Sequence, residues 1–158
     1  MNKRINTHGT GIVIDGKGVL LRGVSGAGKS LLALELLEYA KIRDLEAALV
    51  ADDRIDLSID GSKLTMHAPD AIAGLIELRG RGIVTRRNVE QAPLHLVVDI
   101  VDEFVRLVEE DELITELEGV TLARCPIPNR DKIDSAHQQL LVLEALQALE
   151  ISNSEKST

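Results

Sequence analysis

The run Gly23-Val24-Ser25-Gly26-Ala27-Gly28-Lys29-Ser30 constrains this chain more than any other part of it. Gly23, Gly26 and Gly28 let the backbone curl until its N–H groups converge. That geometry suits an anion when a strand leads in and a buried helix leads out, with the positive end of the helix dipole at the anion. Both flanks fit. Val19-Leu20-Leu21 reads as the strand, and Leu32, Ala33, Leu36, Leu37 and Ala40 recur at helical spacing with Glu35, Glu38 and Lys41 at polar positions. The helix is expected from Lys29 to about Arg43. Lys29 can reach terminal phosphates, and the Ser30 hydroxyl can ligate Mg²⁺. The whole run, Val24, Ser25 and Ala27 included, reads as a nucleotide-phosphate grip.

The remaining pattern is α/β. Ile12-Val13-Ile14 and Val19-Leu20-Leu21 flank the turn residues Asp15-Gly16-Lys17-Gly18 as a hairpin, so the sheet around the phosphate loop is expected to be mixed. Ala47-Ala48-Leu49-Val50-Ala51 is a buried strand ending at Asp52-Asp53. Arg54 to Met66 reads as a second hairpin around Asp60-Gly61, and Pro69-Asp70 as the start of a short helix through Leu75. Leu94 to Val101 is a strand carrying Asp99, and Ile114–Leu117 with Val120–Ala123 is a late hairpin turned at Glu118-Gly119. Ser135-Ala136-His137-Gln138 reads as a capping box for a last helix ending near Leu149, with Leu141, Ala145, Leu146 and Leu149 on its apolar stripe. No repeat or linker interrupts the chain, so a single domain over 1–151 is expected, with a frayed polar tail over 152–158.

Composition removes several function classes. Aromatic residues make up 1% of the 158 positions, Tyr39 and Phe104 alone, so broad base stacking on aromatic platforms is excluded. A net charge of −8 argues against nucleic acid or an anionic membrane as partner. Apolar stretches fall far short of the ~20 residues that span a bilayer. Cys125 is the only cysteine, which rules out an internal disulfide. No signal peptide is visible in the first residues, and a cytoplasmic location is expected.

Two acidic features add chemistry. Asp52 and Asp53 stand at a strand end, the part of an α/β sheet where ligands bind. Adjacent carboxylates repel, and a nearby Mg²⁺ relieves that repulsion, so one can place metal while the other accepts a hydroxyl proton. The plain alternative is a solvated turn with a carboxylate paired to Arg54. Glu77-Leu78-Arg79-Gly80-Arg81-Gly82 is the second feature, a carboxylate beside an arginine-glycine loop, suited to metal and phosphoryl oxygens or simply to solvent.

In order and spacing, His8-Gly9, Gly23 to Ser30, Val50-Ala51-Asp52-Asp53-Arg54 and Glu77-Leu78-Arg79-Gly80-Arg81-Gly82-Ile83 together resemble the kinase domain of the HPr kinase/phosphorylase family, over about the first hundred residues. The resemblance implies a fold like the nucleotide-binding part of phosphoenolpyruvate carboxykinase and a short, kinase-domain-only form. It implies ATP-dependent phosphorylation of a serine on HPr, the phosphocarrier of the sugar phosphotransferase system, and homo-oligomers that are hexamers. It places Lys29 on the phosphates, Ser30 and Glu77 on Mg²⁺, and Asp53 as base with Asp52 beside it. His8 enters the site, and the Arg79 loop helps neutralise developing charge. Arg130 is the candidate for the family's downstream arginine, and phosphorylase activity stays open. A P-loop kinase of a small hydroxylated metabolite, or a nucleotide-gated regulatory module without turnover, are the other readings of the same residues.

Overall fold

The computed structural model describes residues 3–69 and 72–156. Its strands are β1 (Arg4–His8), β2 (Thr10–Ile14), β3 (Lys17–Arg22), β4 (Ala47–Ala51), β5 (Arg54–Asp60), β6 (Lys63–His67), β7 (Leu75–Leu78), β8 (Gly82–Thr85), β9 (Gln91–Val101), β10 (Ile114–Leu117) and β11 (Val120–Pro128). The α-helices are α1 (Lys29–Ile42) and α2 (Ser135–Lys156), and Glu110–Leu113 forms a 3₁₀ turn before β10.

The sheet is mixed, as the antiparallel lead-in to the phosphate loop requires. Strand order runs β4-β2-β3-β9-β11-β10, and β9 also starts a second arm, β6-β5-β1. β9 makes both possible because it is long. Its first residues pair antiparallel with β6, Gln91 opposite His67, while Leu96 to Asp99 lie in parallel ladders with β3 on one side and β11 on the other. Where β3 meets β9 the backbones nearly touch. A Cβ on Gly18 would stand 1.8 Å from the Pro93 carbonyl oxygen, so only glycine fits there.

Alternation sends side chains into two cores. Val19, Leu21, Leu96 and Val98 face α1 and α2, joining Leu32, Leu36 and Val142. Leu20, Val50 and Val97 point the other way, onto Ile55, Leu57, Leu64 and Met66 of the β5–β6 arm. Both faces of the central strands are therefore covered, which explains their unbroken apolar runs. The lone edge of β4 is closed as well, since Leu49 exchanges backbone hydrogen bonds with Arg87 and Val89.

α1 starts without a side-chain cap, at Gly28 with φ 99°, and ends in a Schellman motif. There Asp44 takes the left-handed place usual for glycine (φ 56°), and the Leu45 N–H donates to the Ala40 carbonyl at 2.8 Å.

Several expectations need correction. The helix read from Pro69 through Leu75 is shorter than expected: Ile72 is 3₁₀-helical, its N–H donating to the Pro69 carbonyl at 3.2 Å, but the chain turns at Gly74 (φ 76°) and Leu75 already belongs to β7; Asp70 and Ala71 lie outside the described residues. The arginine-glycine segment is not a free loop but the turn of the β7–β8 hairpin, Glu77 opposite Ile83. Ser135 does not cap α2: Asp134 does, its Oδ1 accepting the His137 N–H at 2.9 Å. Gln138 is instead buried, donating to the Pro128 carbonyl at 2.9 Å and accepting from Arg130. α2 also continues to Lys156, past Leu149 and into the segment expected to fray. β9 begins at Gln91 and not at Leu94, and β11 runs on through Pro128.

Candidate active site

The phosphate loop follows β3, with its N–H groups and the uncapped first turn of α1 gathered at the end of the sheet. Ala27 N–H closes a turn on the Val24 carbonyl at 3.0 Å, and Gly26 and Gly28 take left-handed φ of 84° and 99°. Lys29 is 6% exposed, its ammonium held by the Gly23 and Val24 carbonyls at 2.8 and 3.2 Å. An Arg79 guanidinium nitrogen lies 3.6 Å from where a Gly26 Cβ would stand, so the β7–β8 turn hangs over the loop.

Asp52 ties this loop to the rest of the site. Its Oδ1 accepts the Ser30 hydroxyl at 2.6 Å and the Thr10 hydroxyl at 2.9 Å, and its Oδ2 accepts the Glu77 N–H at 3.3 Å. Four elements thus meet on one carboxylate: the start of α1, the start of β2, the end of β4 and β7. Ile76 is buried in the core beneath, so alternation along β7 turns Glu77 to the opposite, exposed side.

Asp53 has a different setting. Its φ of 69° swings it out of the β4–β5 turn, and its side chain is 67% exposed. His8 Nε2 stands 2.7 Å from its Oδ1. The Gly9 N–H also donates to the Asp53 carbonyl at 3.0 Å, so the end of β1 holds both backbone and side chain. The two adjacent aspartates are split by environment: Asp52 faces the phosphate loop, and Asp53 faces His8 and open solvent.

Oxygen donors prevail here. Ser30 and Asp52 touch, and Glu77 is bonded to the same carboxylate through its backbone. Among the described residues no group of three His, Cys, Asp or Glu side chains is close enough to form a self-sufficient metal cage. A hydroxyl plus one or two carboxylates, completed by substrate phosphates, is the donor set of Mg²⁺ and not of zinc. The residues fit that ion.

Sequence reasoning missed Thr10 and the support beneath the loop. Thr10 is fully buried, and its hydroxyl also accepts the Asp53 N–H at 3.4 Å, fixing both aspartates at once. A threonine at a strand start carries no signal of that duty. Below the loop, Arg22 makes a two-point ion pair with Asp99 (2.7 and 2.9 Å), which Arg124 joins at 2.6 Å. Burial would raise the Asp99 pKa, but the hydrogen bonds from Arg22 and Arg124 outweigh it and hold the carboxyl below its ordinary value. The ion pair clamps the ends of β3, β9 and β11 together. Arg130 is not in this site: it bonds Gln138 and Glu35 and joins α1 to the start of α2.

Comparison with known proteins agrees with this geometry. The family model described as HPr Serine kinase C-terminal domain matches residues 1–130. The match reaches well beyond the hundred residues in which the motifs lie. The HPr kinase/phosphorylase of Caldicellulosiruptor bescii is 36% identical over 140 residues, covering 80% of this chain and 43% of that protein. That of Streptococcus salivarius is 34% identical over 139 residues, again 80% and 43%. The chain thus spans less than half the length of these curated relatives. Among solved structures, the Hpr(Ser) kinase/phosphatase from Coxiella burnetii superposes with a TM-score of 0.76 at 24% identity, covering 97% of both chains, and shows the shared fold. Among the described residues no helix is long and apolar enough to cross a membrane.

Proposed function

This chain belongs to the HPr serine kinase C-terminal domain family, and we propose that it is a cytoplasmic, ATP-dependent protein-serine kinase acting on HPr or a related phosphocarrier. The single observation that carries the proposal is the Ser30–Asp52 hydrogen bond beside an exposed Asp53 paired to His8. A polyphosphate grip and an exposed carboxylate base stand side by side, which is what phosphoryl transfer to a hydroxyl needs.

Each residue then has a task. The amides of Val24 to Gly28 and the first turn of α1 cradle the phosphates, and the Lys29 ammonium exchanges its loop carbonyls for phosphate oxygens. Ser30, Asp52 and Glu77 would hold Mg²⁺, which when bound would offset charge on the phosphate oxygens. Asp53 takes the proton from the acceptor serine hydroxyl as that oxygen attacks the terminal phosphorus, and the bond to the leaving diphosphate breaks. His8, 2.7 Å from its Oδ1, orients Asp53. Arg79, over the loop, meets charge that grows on the transferring oxygens. Thr10 positions both aspartates.

A small hydroxylated metabolite as acceptor fits the same groups less well, since Asp53 stands exposed on an open surface that a protein loop can approach. A nucleotide-gated module without turnover leaves the Asp53–His8 pair without a use. We further propose homo-oligomeric assembly, hexameric by family resemblance, to be read by sedimentation. The deciding assay mixes the chain, Mg²⁺, γ-labelled ATP and the host's phosphocarrier, and label is expected on a serine of that protein. Lys29→Ala is expected to abolish both labelling and ATP binding. ATP binding with label in a metabolite fraction only, or nowhere, would reject the acceptor or the enzyme reading respectively.

A further inference from the structure

Arg22, Asp99 and Arg124 stand on three neighbouring strands, and their charges do not balance. Two guanidinium groups meet one carboxylate: Arg22 bonds both Asp99 oxygens, and Arg124 Nε donates to Oδ2 at 2.6 Å. The side chains are 29, 15 and 17% exposed, so water relieves the surplus positive charge only in part. Glu112 supplies the missing carboxylate. Arg124 Nη1 donates to its Oε2 and to its backbone carbonyl, each at 3.0 Å.

Glu112 lies off the sheet, in the 3₁₀ turn Glu110–Leu113 that closes the connection from β9 to β10. Asn129 ties the start of that connection, its Nδ2 donating to Asp102 Oδ1 at 3.0 Å. Between the two ties, Phe104, Val105 and Leu107 are all more than half exposed. Apolar burial therefore does little to seat the turn, and the bonds from Arg124 hold it.

The other end of this series of bonds is the phosphate loop. Arg22 directly precedes Gly23, whose carbonyl accepts the Lys29 ammonium at 2.8 Å. Gly23 has little slack, since a Cβ there would lie 3.2 Å from both the Ala27 and the Ile100 Cβ. A shift of Arg22 moves the carbonyl that aims Lys29. Glu112 reaches that point through Arg124, Asp99 and Arg22 in turn, every link 3.0 Å or shorter.

We propose that Arg124 and Glu112 are positioning residues for nucleotide binding: the 3₁₀ turn seated on Arg124 sets, through Asp99 and Arg22, the place of the phosphate loop. The proposal rests on the phosphate-loop reading above. Position 124 needs a guanidinium, because its fork spans Asp99 and Glu112 at once and an ammonium does not.

The sign of one charge removal separates positioning from a general field. Removing the Glu112 charge makes the surroundings of a polyphosphate less negative, which by itself tightens binding. Loss of positioning weakens it. The test titrates Mg-ATP into the full chain by calorimetry and follows phosphocarrier labelling in parallel. Glu112→Gln should weaken Mg-ATP about threefold and Arg124→Lys about tenfold, the scale on which residues without ligand contact modulate a site. The loss should appear in KM for ATP and leave kcat in place, since the loop grips phosphate alike in ground and transition states. The double variant should bind no more weakly than Arg124→Lys alone, because both changes break one series of bonds. Glu103→Gln removes a carboxylate from the same connection and none of these bonds, and should leave binding as tight or tighter.

Mg-ATP held by Glu112→Gln as tightly as by the unaltered chain overturns the proposal, whatever happens to the urea midpoint. Additive losses in the double variant, or equal weakening by Glu103→Gln, overturn it too. Should Arg124→Lys not fold, Glu112→Gln against Glu103→Gln decides alone. The titrations decide even where no label is transferred, an outcome that strikes the kinase reading only. An unaltered chain that fails to bind Mg-ATP overturns the phosphate-loop reading, and this proposal with it.

Discussion

Replacing Asp53 by Asn removes a negative charge and a proton acceptor while changing almost nothing else. The backbone there sits at φ 69°, a conformation that asparagine and aspartate both adopt more readily than other residues with a side chain. The side chain is 67% exposed, so no buried contact is lost, and the pairing with His8, itself 53% exposed, is worth no more than about 1 kcal/mol. Folding stability should therefore move by less than about 1 kcal/mol. Catalysis should respond very differently. A positioned general base contributes on the order of 10²–10⁴-fold, or about 2.7–5.5 kcal/mol of barrier. The loss should fall on kcat, because Asp53 donates to and accepts from none of the loop residues that hold phosphate. The assay is single-turnover transfer of γ-label to the phosphocarrier, with Mg-ATP affinity measured in parallel and urea unfolding as control. Transfer within threefold of the unaltered rate, or a fall in ATP affinity matching the fall in rate, would refute the division of labour between Asp52 and Asp53.

Other outcomes follow from packing and titration. Gly18→Ala should destabilise the fold by more than the ~1–3 kcal/mol usual for overpacking, because the added carbon meets the Pro93 backbone oxygen at 1.8 Å; urea unfolding reads it. Burial pushes the Cys125 thiol up to about 12, so at pH 8 it should resist a disulfide-exchange reagent in the native chain and react once urea is added. Burial also lowers the pKa of His67 and His95 below 6.5, with Arg4 and Lys17 adding to the effect. The unfolded chain then takes up protons first, so stability is complete above about pH 6.5 and declines as pH falls toward the folded values. Urea midpoints at pH 7.5 and 5.5 should show the decline, and His67→Gln with His95→Gln should flatten it.

Local chemistry was legible in the sequence, and non-local partnership was not. The phosphate loop, the strand end at Asp52-Asp53 and the turns at Asp15-Gly16, Asp60-Gly61 and Glu118-Gly119 announce themselves because a few adjacent residues decide each of them. β1 carried no such sign: its residues alternate between exposed and half-buried, and it exists because Arg4 to His8 find Arg54 to Ser58. β7 and β8 hid behind glycines and arginines whose turn chemistry suggested a loop. Pro126 and Pro128 are poor strand residues, yet they extend β11 along Asp99 to Val101 at its parallel seam with β9. In the site, the asymmetry of the two aspartates depends on Thr10 and His8, both of which arrive from the preceding strands. Ser135 reads as a cap because a glutamine stands three residues after it, but Gln138 is occupied by Pro128 and Arg130.

β9 also sets when the molecule can become competent. Arg22 meets Asp99 across 77 positions of chain, and the strand leading to the phosphate loop has its other neighbour, β2, in a local hairpin. That hairpin closes locally, but its far side stays open until β9 emerges and pairs with β3. Contacts this distant in sequence make for slow, late closure. A chain that ends before β9 therefore carries its glycine loop on a strand paired on one side only.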